Sequence, residues 1–314
     1  MPPLKDAEKP SEPVVLVLGF FDGVHKGHQQ VIAAGRREAD KRGLKLALAT
    51  FDVHPAIVYG GVDAASFKYL SLPERKTELM AQFGVDLYYV IHFTKTFAAL
   101  KPQQFVNDYM CGLKAQVVVA GFDYTYGKKD VASMALLTDY AQGRFEVITV
   151  PSFDVDGQKV SSTRVRQALA DADIDLTNRL LGYTYTTRGT VVHGEARGRE
   201  LGFPTANIEH VHGTFVPGIG IYVVKLTVDG KTYGGMASVG RNVTFGDDRD
   251  VTVEINLFDF NQDIYGKAVT VEWLHYLRGE VKYTGAAALI DQLKVDEVHS
   301  RTFLQRFSTN DSAN

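Results

Sequence analysis

Two histidines, His25 and His28, stand three residues apart in the run Gly19-Phe20-Phe21-Asp22-Gly23-Val24-His25-Lys26-Gly27-His28. An apolar stretch, Val14–Leu18, precedes this run and reads as a buried strand, and Gln29–Arg42 follows it and reads as a helix. A strand-to-helix turn presents free backbone N–H groups and the positive end of a helix dipole, a setting that suits an anion. Gly23 and Gly27 carry no Cβ, so backbone can come close to a ligand there. The two imidazoles add donors on one face of the helix start. The combination fits nucleotide phosphate handled by positioning and charge stabilisation, with no covalent protein intermediate. A zinc pair is the competing reading, but helical zinc pairs more often use a four-residue spacing, and no Cys or Glu completes such a pattern nearby.

Three further segments of the first half carry chemistry. Thr50-Phe51-Asp52-Val53-His54-Pro55 closes the second apolar run, at the same edge as the first motif. Gly121-Phe122-Asp123-Tyr124-Thr125-Tyr126-Gly127 closes the fourth; it reads equally as a ligand-lining loop or as an ordinary turn with packed tyrosines. Ser161-Ser162-Thr163-Arg164-Val165-Arg166 leads into a helix, where hydroxyls can cap and arginine can reach a polyphosphate.

In the second half, glycines and arginines crowd the run from Gly194 through Gly198 and Gly202 to Pro204-Thr205-Ala206-Asn207. A glycine-rich loop can wrap phosphates. Thr205 and Asn207 could offer neutral oxygens to Mg²⁺, which favours few protein ligands plus substrate phosphates. As alternate residues of an extended segment they face one side. Glu254 lies among apolar neighbours in Val251–Phe258; periodicity favours an outward-facing strand glutamate, with a general base for a substrate hydroxyl as the alternative.

These residues need a scaffold of two kinds. From Val14 to about Leu181, strands at Val14–Leu18, Lys45–Phe51, Leu87–His92, Gln116–Ala120 and Phe145–Val150 alternate with helices. The helices are expected after a capping box with proline, Ser71-Leu72-Pro73-Glu74, and near Pro102–Met110 and Val131–Gln142. Such alternation implies a parallel sheet whose ligands bind beyond the strands' carboxyl ends. After about Tyr183 the helices vanish. Arg188–His193, Gly220–Val228, Lys231–Val239, Val251–Phe258 and Lys267–Leu274 read as strands of an antiparallel barrel or sandwich, with Asp229-Gly230 as a hairpin turn. A closing helical segment spans about Ala286–Leu293 and extends toward Phe307. The expected domains are residues 1–183 and 184–314.

Composition excludes several classes. The 314 residues are 45% hydrophobic and 23% charged with a net charge of −3, and show no basic block, so nucleic acid is an unexpected partner. No apolar run is long enough to span a membrane, and the polar start of the chain has no signal-peptide core. The single cysteine, Cys111, forms no intrachain disulfide and reads as a small buried hydrophobe at a helix end. A cytoplasmic protein, monomeric or weakly self-associating, is expected.

From about Pro13 to Phe307 these motifs resemble the bifunctional bacterial riboflavin kinase/FMN adenylyltransferase family, the FAD synthetases; Leu201-Gly202-Phe203-Pro204-Thr205-Ala206-Asn207 is the most diagnostic piece. The resemblance implies a Rossmann-like nucleotidyltransferase sheet joined to a riboflavin-kinase β-barrel with a closing helix. It implies two Mg²⁺- and ATP-dependent steps, riboflavin to FMN and FMN to FAD, with riboflavin, FMN and ATP as the small-molecule partners. By position, His25 and His28 would bind ATP phosphates within a loop that includes Gly19, Phe20, Phe21, Asp22, Gly23 and Gly27, and Ser162, Thr163 and Arg166 would contact the same ATP. Asp52, His54, Asp123, Tyr124 and Arg278 would meet flavin. Gly198, Gly202, Pro204, Thr205 and Asn207 would hold kinase phosphate, the last two with Mg²⁺, and Glu254 would be the base for the riboflavin hydroxyl. The chain departs from the family at Asn242-Val243-Thr244-Phe245, where a proline is common in place of Val243; its loss loosens a loop near the kinase site by about 0.4–1 kcal/mol of chain entropy.

Overall fold

A computed structural model describes residues 9–194, 198, 202–241 and 251–311. The departure at Asn242–Phe245 and most of the Gly194–Gly202 run, namely Glu195–Arg197 and Arg199–Leu201, lie outside the described residues. The chain divides into two compact units, Met1–Ser162 and Thr163–Asn314.

The first unit is built on five parallel strands, β1 (Val14–Leu18), β2 (Lys45–Phe51), β3 (Leu87–Ile91), β4 (Ala115–Gly121) and β5 (Glu146–Val150), in the order β3-β2-β1-β4-β5. All five residues of β1 are buried, as a central strand covered on both faces requires. The strand order reverses between β1 and β4, and the crevice at such a switch point is where open parallel sheets hold ligands. A short hairpin, β6 (Asp154–Val155) with β7 (Gln158–Lys159), follows β5.

The helix after β1 runs Lys26–Arg42, three residues earlier than its apolar periodicity suggests, because His25 caps it: His25 Nδ1 accepts the His28 backbone N–H at 3.3 Å. Gly43, at φ 67°, ends it with an N–H bonded back to the last turn. This helix lies tight on the sheet at Gly35, where a Cβ would stand 2.4 Å from Val17 Cγ2 and 2.9 Å from Leu46 Cδ1.

Four expectations are corrected here. Ser71 is not the cap of the next helix, Pro73–Gln82: Leu72 is its N-cap and makes no side-chain cap bond, while the Ser71 hydroxyl is turned away to accept the Gly23 N–H at 2.9 Å. The helix at Pro102 is α-helical only to Phe105 and continues as π-helix over Val106–Cys111. The helix expected at Val131–Gln142 is confined to Met134–Ala141, because Ala132 instead donates to Lys128 and accepts from Tyr126. Cys111 is half-buried rather than buried.

In the second unit six antiparallel strands close a barrel in the order β10-β11-β12-β9-β8-β13. They are β8 (Tyr185–Val192), β9 (Thr205–His210), β10 (Gly220–Val228), β11 (Lys231–Arg241), β12 (Val251–Leu257) and β13 (Ala268–Arg278). Closure leaves no strand edge open. Asp229 (φ 49°) and Gly230 (φ 74°) form the two-residue turn between β10 and β11, as their types demand. Trp273, Tyr222 and Tyr185 fill the interior, and Trp273 Nε1 donates to Thr187 Oγ1 at 3.0 Å. The helices Ser162–Ala170 and Ile174–Leu181 belong to this unit; Asn178 fastens the second by donating to the Trp273 carbonyl and accepting from the Tyr185 N–H.

A single closing helix, Ala286–Asp311, packs on β11, where Gly234 leaves room for Leu304. Its best-buried groups are polar. Asp296 accepts from Arg278 Nε at 3.0 Å and Nη2 at 2.6 Å, and Ser300 donates to the Asp296 carbonyl.

Gly35→Val is expected to destabilise the first unit by about 1–3 kcal/mol through overpacking against Val17 and Leu46, read as a lower denaturant midpoint. Asp296→Ala is expected to cost about 3 kcal/mol, since it leaves the partly buried Arg278 guanidinium unpaired; thermal unfolding of the barrel checks it.

Candidate functional site

Beyond the carboxyl ends of β1 and β4 lies a cleft of about 460 Å³. It is lined by Gly19, Phe20, Phe21, His25, Gly27 and His28 from the first motif, and by His54, Asp123, Tyr124 and Ser162 from the other three. Segments far apart in sequence thus converge at one place, the switch point of the sheet.

The loop that enters the helix has an unusual backbone. Phe21 (φ 57°), Gly23 (φ 75°) and Val24 (φ 36°) all occupy the left-handed region, and two of them are not glycine. Such residues persist only where surroundings over-determine them. Here the Phe20 carbonyl accepts from Thr50 Oγ1 at 2.9 Å and Lys76 Nζ at 3.0 Å. Asp22 Oδ1 accepts the N–H groups of Leu70 (3.0 Å) and Ser71 (3.1 Å), Ser71 Oγ accepts from Gly23, and Ser162 Oγ donates to the Asp22 carbonyl at 2.9 Å. The Asp22 side chain is therefore an anchor, buried at 1% exposure, rather than a group in the cleft. Gly27 is required by contact as well as by chemistry: a Cβ there would meet the His25 ring at 3.2 Å and the Val160 carbonyl at 3.4 Å.

The two imidazoles are stacked, with centroids 3.6 Å apart and planes 16° from parallel. Because His25 Nδ1 accepts the His28 N–H, its proton sits on Nε2. The His28 ring Nδ1 is buried and has no hydrogen-bond partner within the protein. Burial first, then the repulsion that a protonated His25 would exert, then the positive fields of Lys76 and Lys159, hold the His28 pKa well below its usual value, so the ring is neutral at pH 7. Burial also pushes the Tyr124 hydroxyl far up, which keeps it a donor. Across the cleft Lys159 pairs with Asp123 and lies 4.6 Å from the Phe122 ring centroid.

His54 caps the short helix Pro55–Val58 through Nδ1 and joins an aromatic group, edge-on to Phe20 at 4.8 Å and stacked on Phe67 at 4.8 Å. Asp52 is occupied elsewhere: Oδ1 accepts from Val53 and Phe93, and Oδ2 pairs with His92. Thr163 and Arg166 follow Ser162 on the helix Ser162–Ala170, within the second unit.

On the barrel, register brings the second set together. Glu254 lies directly opposite Asn207, and Asn256 opposite Thr205, so all four share a face. It is the outer face, since the alternating residues Val253, Ile255 and Leu257 are buried inside. Thr205 Oγ1 donates to Glu254 Oε2 at 3.1 Å, and Asn256 Nδ2 donates to the Pro204 carbonyl at 2.8 Å. The glycines leave space over this face. A Cβ on Gly194 would collide with the Asn207 amide at 2.1 Å, and one on Gly198 with the Phe203 carbonyl at 2.4 Å; Gly202 takes φ 81°. Beside them opens a mainly apolar cavity of about 400 Å³, lined among others by Pro204, Thr205, Ile255, Leu257 and Tyr265. Arg278 is not part of this group; its guanidinium is committed to Asp296 and to the Gly279 carbonyl.

Sequence reasoning missed Lys76 and Lys159. Lys76 does leave a signal: on the helix Pro73–Gln82 it shares the buried face with Leu79 and Met80, an unusual place for a lysine.

Known proteins resemble this chain over both units. Residues 7–164 match the FAD synthetase family model and residues 181–304 the riboflavin kinase model. Proteins named bifunctional riboflavin kinase/FMN adenylyltransferase are similar over nearly the whole chain. The one from Listeria monocytogenes is 46% identical across 93% of each chain, that from Bacillus subtilis 40% across 90% of each, and that from Escherichia coli K12 32% across 95% of each. A crystal structure named as a macrolide-efflux protein from Streptococcus pneumoniae superposes with a TM-score of 0.87 at 39% identity, covering 94% of this chain and 96% of that one. Among the described residues no helix is long and apolar enough to cross a membrane. With two family models in the same order and relatives this similar along their full length, the chain belongs to the bifunctional riboflavin kinase/FMN adenylyltransferase family.

Proposed function

We propose that each half of the chain carries one of two successive phosphorus-transfer steps, the barrel making FMN from riboflavin and ATP, the parallel-sheet unit making FAD from FMN and a second ATP. The two activities follow from family membership. The division of residues between them is our reading, with residues 1–183 and 184–314 as the two domains. One observation carries it: two separate groups of phosphate-suited residues, one at a helix N-terminus and one on a strand pair, lie in two compact units.

In the adenylyl step a phosphate oxygen of FMN attacks the α-phosphorus of ATP, and pyrophosphate leaves. Alignment and charge neutralisation dominate such a displacement. The backbone N–H groups at the start of Lys26–Arg42, His25 Nε2–H and the His28 ring face the cleft where the triphosphate would lie. Ser162, Thr163 and Arg166 follow in the chain as further contacts to that ATP. The cleft wall of His54, Asp123 and Tyr124 would meet the flavin.

In the kinase step the 5′-hydroxyl of riboflavin attacks the γ-phosphorus. Glu254 accepts or orients the hydroxyl proton, and ADP leaves. The outer barrel face fits Mg²⁺: Thr205 and Asn207 supply neutral oxygens beside a carboxylate, and Gly194 and Gly198 leave space where any side chain would intrude. When bound, the ion would neutralise charge on the transferred phosphoryl group. Gly198, Gly202 and Pro204 shape the loop around the ATP phosphates. Arg278 would act on flavin only indirectly, through the closing helix that it holds. The reading includes a cytoplasmic, monomeric or weakly self-associating enzyme that needs neither nucleic acid nor membrane.

His28→Ala is expected to lower FAD formation from FMN by ~10² or more while leaving FMN formation from riboflavin intact. Glu254→Gln is expected to do the reverse, by ~10² or more. Chromatographic separation of riboflavin, FMN and FAD over time reads both. Loss of both steps in either folded variant would refute the division of labour.

A further inference from the structure

Resting on that reading of the cleft, we infer that Lys76 is a positioning residue for adenylyl transfer: its buried ammonium holds the Phe20 carbonyl beneath the cleft and adds to the positive field at His28. No role for it follows from the motifs, and it does not line the cleft. Its placement is nonetheless specific. Lys76 is only 5% exposed, its Nζ donates to the Phe20 carbonyl at 3.0 Å, and the same nitrogen lies 4.2 Å from the centroid of the Phe20 ring. A buried lysine is costly unless its charge is used.

Two uses are visible. The first is mechanical. Phe20 immediately precedes Phe21, the first of the left-handed residues, and its carbonyl is held on one side by Thr50 and on the other by Lys76. A charge-assisted bond fixes that peptide more firmly than the hydroxyl alone, and the Phe20 ring that faces the cleft is held beneath the same ammonium. The second use is electrostatic. The titratable groups that face Lys76 are Asp22 on the loop, which favours its charge, and His28 on the helix Lys26–Arg42, whose protonation it opposes. His25, stacked on His28, and Lys159 push His28 in the same direction. Lys76 thus helps to keep His28 neutral until an anion arrives, while its own charge adds to the positive field that the anion meets.

Burial lowers the Lys76 pKa to about 8. Below that pH the ammonium is present and both uses operate; above it the charge is lost and the Phe20 carbonyl is held more weakly. The kcat/KM for FMN adenylylation, which reports ionisations of the free enzyme, should therefore fall on an alkaline limb near pH 8 in the wild-type enzyme. The riboflavin kinase step measured on the same chain should show no such limb. Lys76→Met should lower the adenylylation kcat by on the order of 10²-fold. KM for ATP should change far less, the limb should vanish, and the His28 ring titration followed by NMR should move upward. Lys76→Arg should recover part of the rate and carry the limb out of range.

Retained kinase activity and an unchanged thermal transition of the first unit identify folded variants. A folded Lys76→Met with wild-type kcat, or a limb that persists in either variant, overturns the inference. Should neither variant fold, the wild type decides through ¹³C-lysine NMR. A lysine titrating in step with the limb supports the inference, and a limb that no lysine follows overturns it. If FMN adenylylation proves absent from the wild-type enzyme, the reading of the cleft fails instead, and the His28 titration still reports whether Lys76 sets its charge.

Discussion

The first unit is organised around a backbone that does not relax. Three left-handed residues in four, Phe21, Gly23 and Val24, turn the chain between the end of β1 and the helix Lys26–Arg42, beside the cleft. Conformations of this kind cost on the order of 1–3 kcal/mol for each non-glycine residue. They are offset by groups whose own positions depend on the rest of the sheet: Thr50 at the end of β2, Leu70, Ser71 and Lys76 before and within the helix Pro73–Gln82, and Ser162 after the β6–β7 hairpin. Removing any one loosens the same turn. A loop held in this way is pre-formed, so a ligand that it binds need not supply the energy of ordering it.

The barrel solves a related problem by different means. There the placement comes from strand register, which is fixed by the alternation of buried and outward residues. A one-residue slip of β9 against β12 would send Thr205 and Asn207 inward and Ala206 outward. The site needs no strained turn for its carboxylate and its neutral oxygens, and its glycines serve clearance over the face: Gly194 for Asn207 and Gly198 for Phe203. On the proposed reading both sites would hold phosphate, one with backbone donors and rings, the other with side chains on a strand pair.

The parallel sheet was legible because central strands are continuous apolar runs, and β1, β2, β4 and β5 lie within one residue of their expected limits. β9 was not read as a strand, since Thr-Ala-Asn-Ile-Glu-His has no clean alternation; its pairing with β8 and β12 defines it. The Ser71 error has a physical cause. A serine two residues before proline with glutamate three residues on satisfies the local capping pattern, but a buried backbone N–H from Gly23, 48 residues away in sequence, competes for the same hydroxyl. His25 and His28 were visible because their spacing puts them on one face of a helix start, and Thr205 because it alternates with Asn207; Glu254 had no such signal, since the register of β9 against β12, not spacing, brings it to Thr205. Asp22 and Asp52 were legible as polar residues in the right loops but not as anchors, because what they hold, Leu70 and Phe93, lies on segments without a motif.

The charges around the cleft explain why the pair beside the phosphate loop is histidine and not lysine. The cleft already has Lys76, Lys159 and a helix N-terminus near it, and a further fixed cation would have to be buried against all of them. A neutral, stacked imidazole avoids that cost. His28 Nδ1 is left without a partner and ready to donate once protonated. When a polyphosphate enters, its negative field reverses the sign of the environment, and the same ring becomes easier to protonate. Histidine supplies charge at the time the ligand makes it favourable, whereas lysine at that position would impose it throughout. The permanent cations sit where they can be satisfied without ligand, Lys76 on the Phe20 carbonyl and Lys159 on Asp123. The site is thus electrostatically restrained when empty and strongly attractive when filled, which is the condition for holding a highly charged substrate without storing the repulsion in the fold.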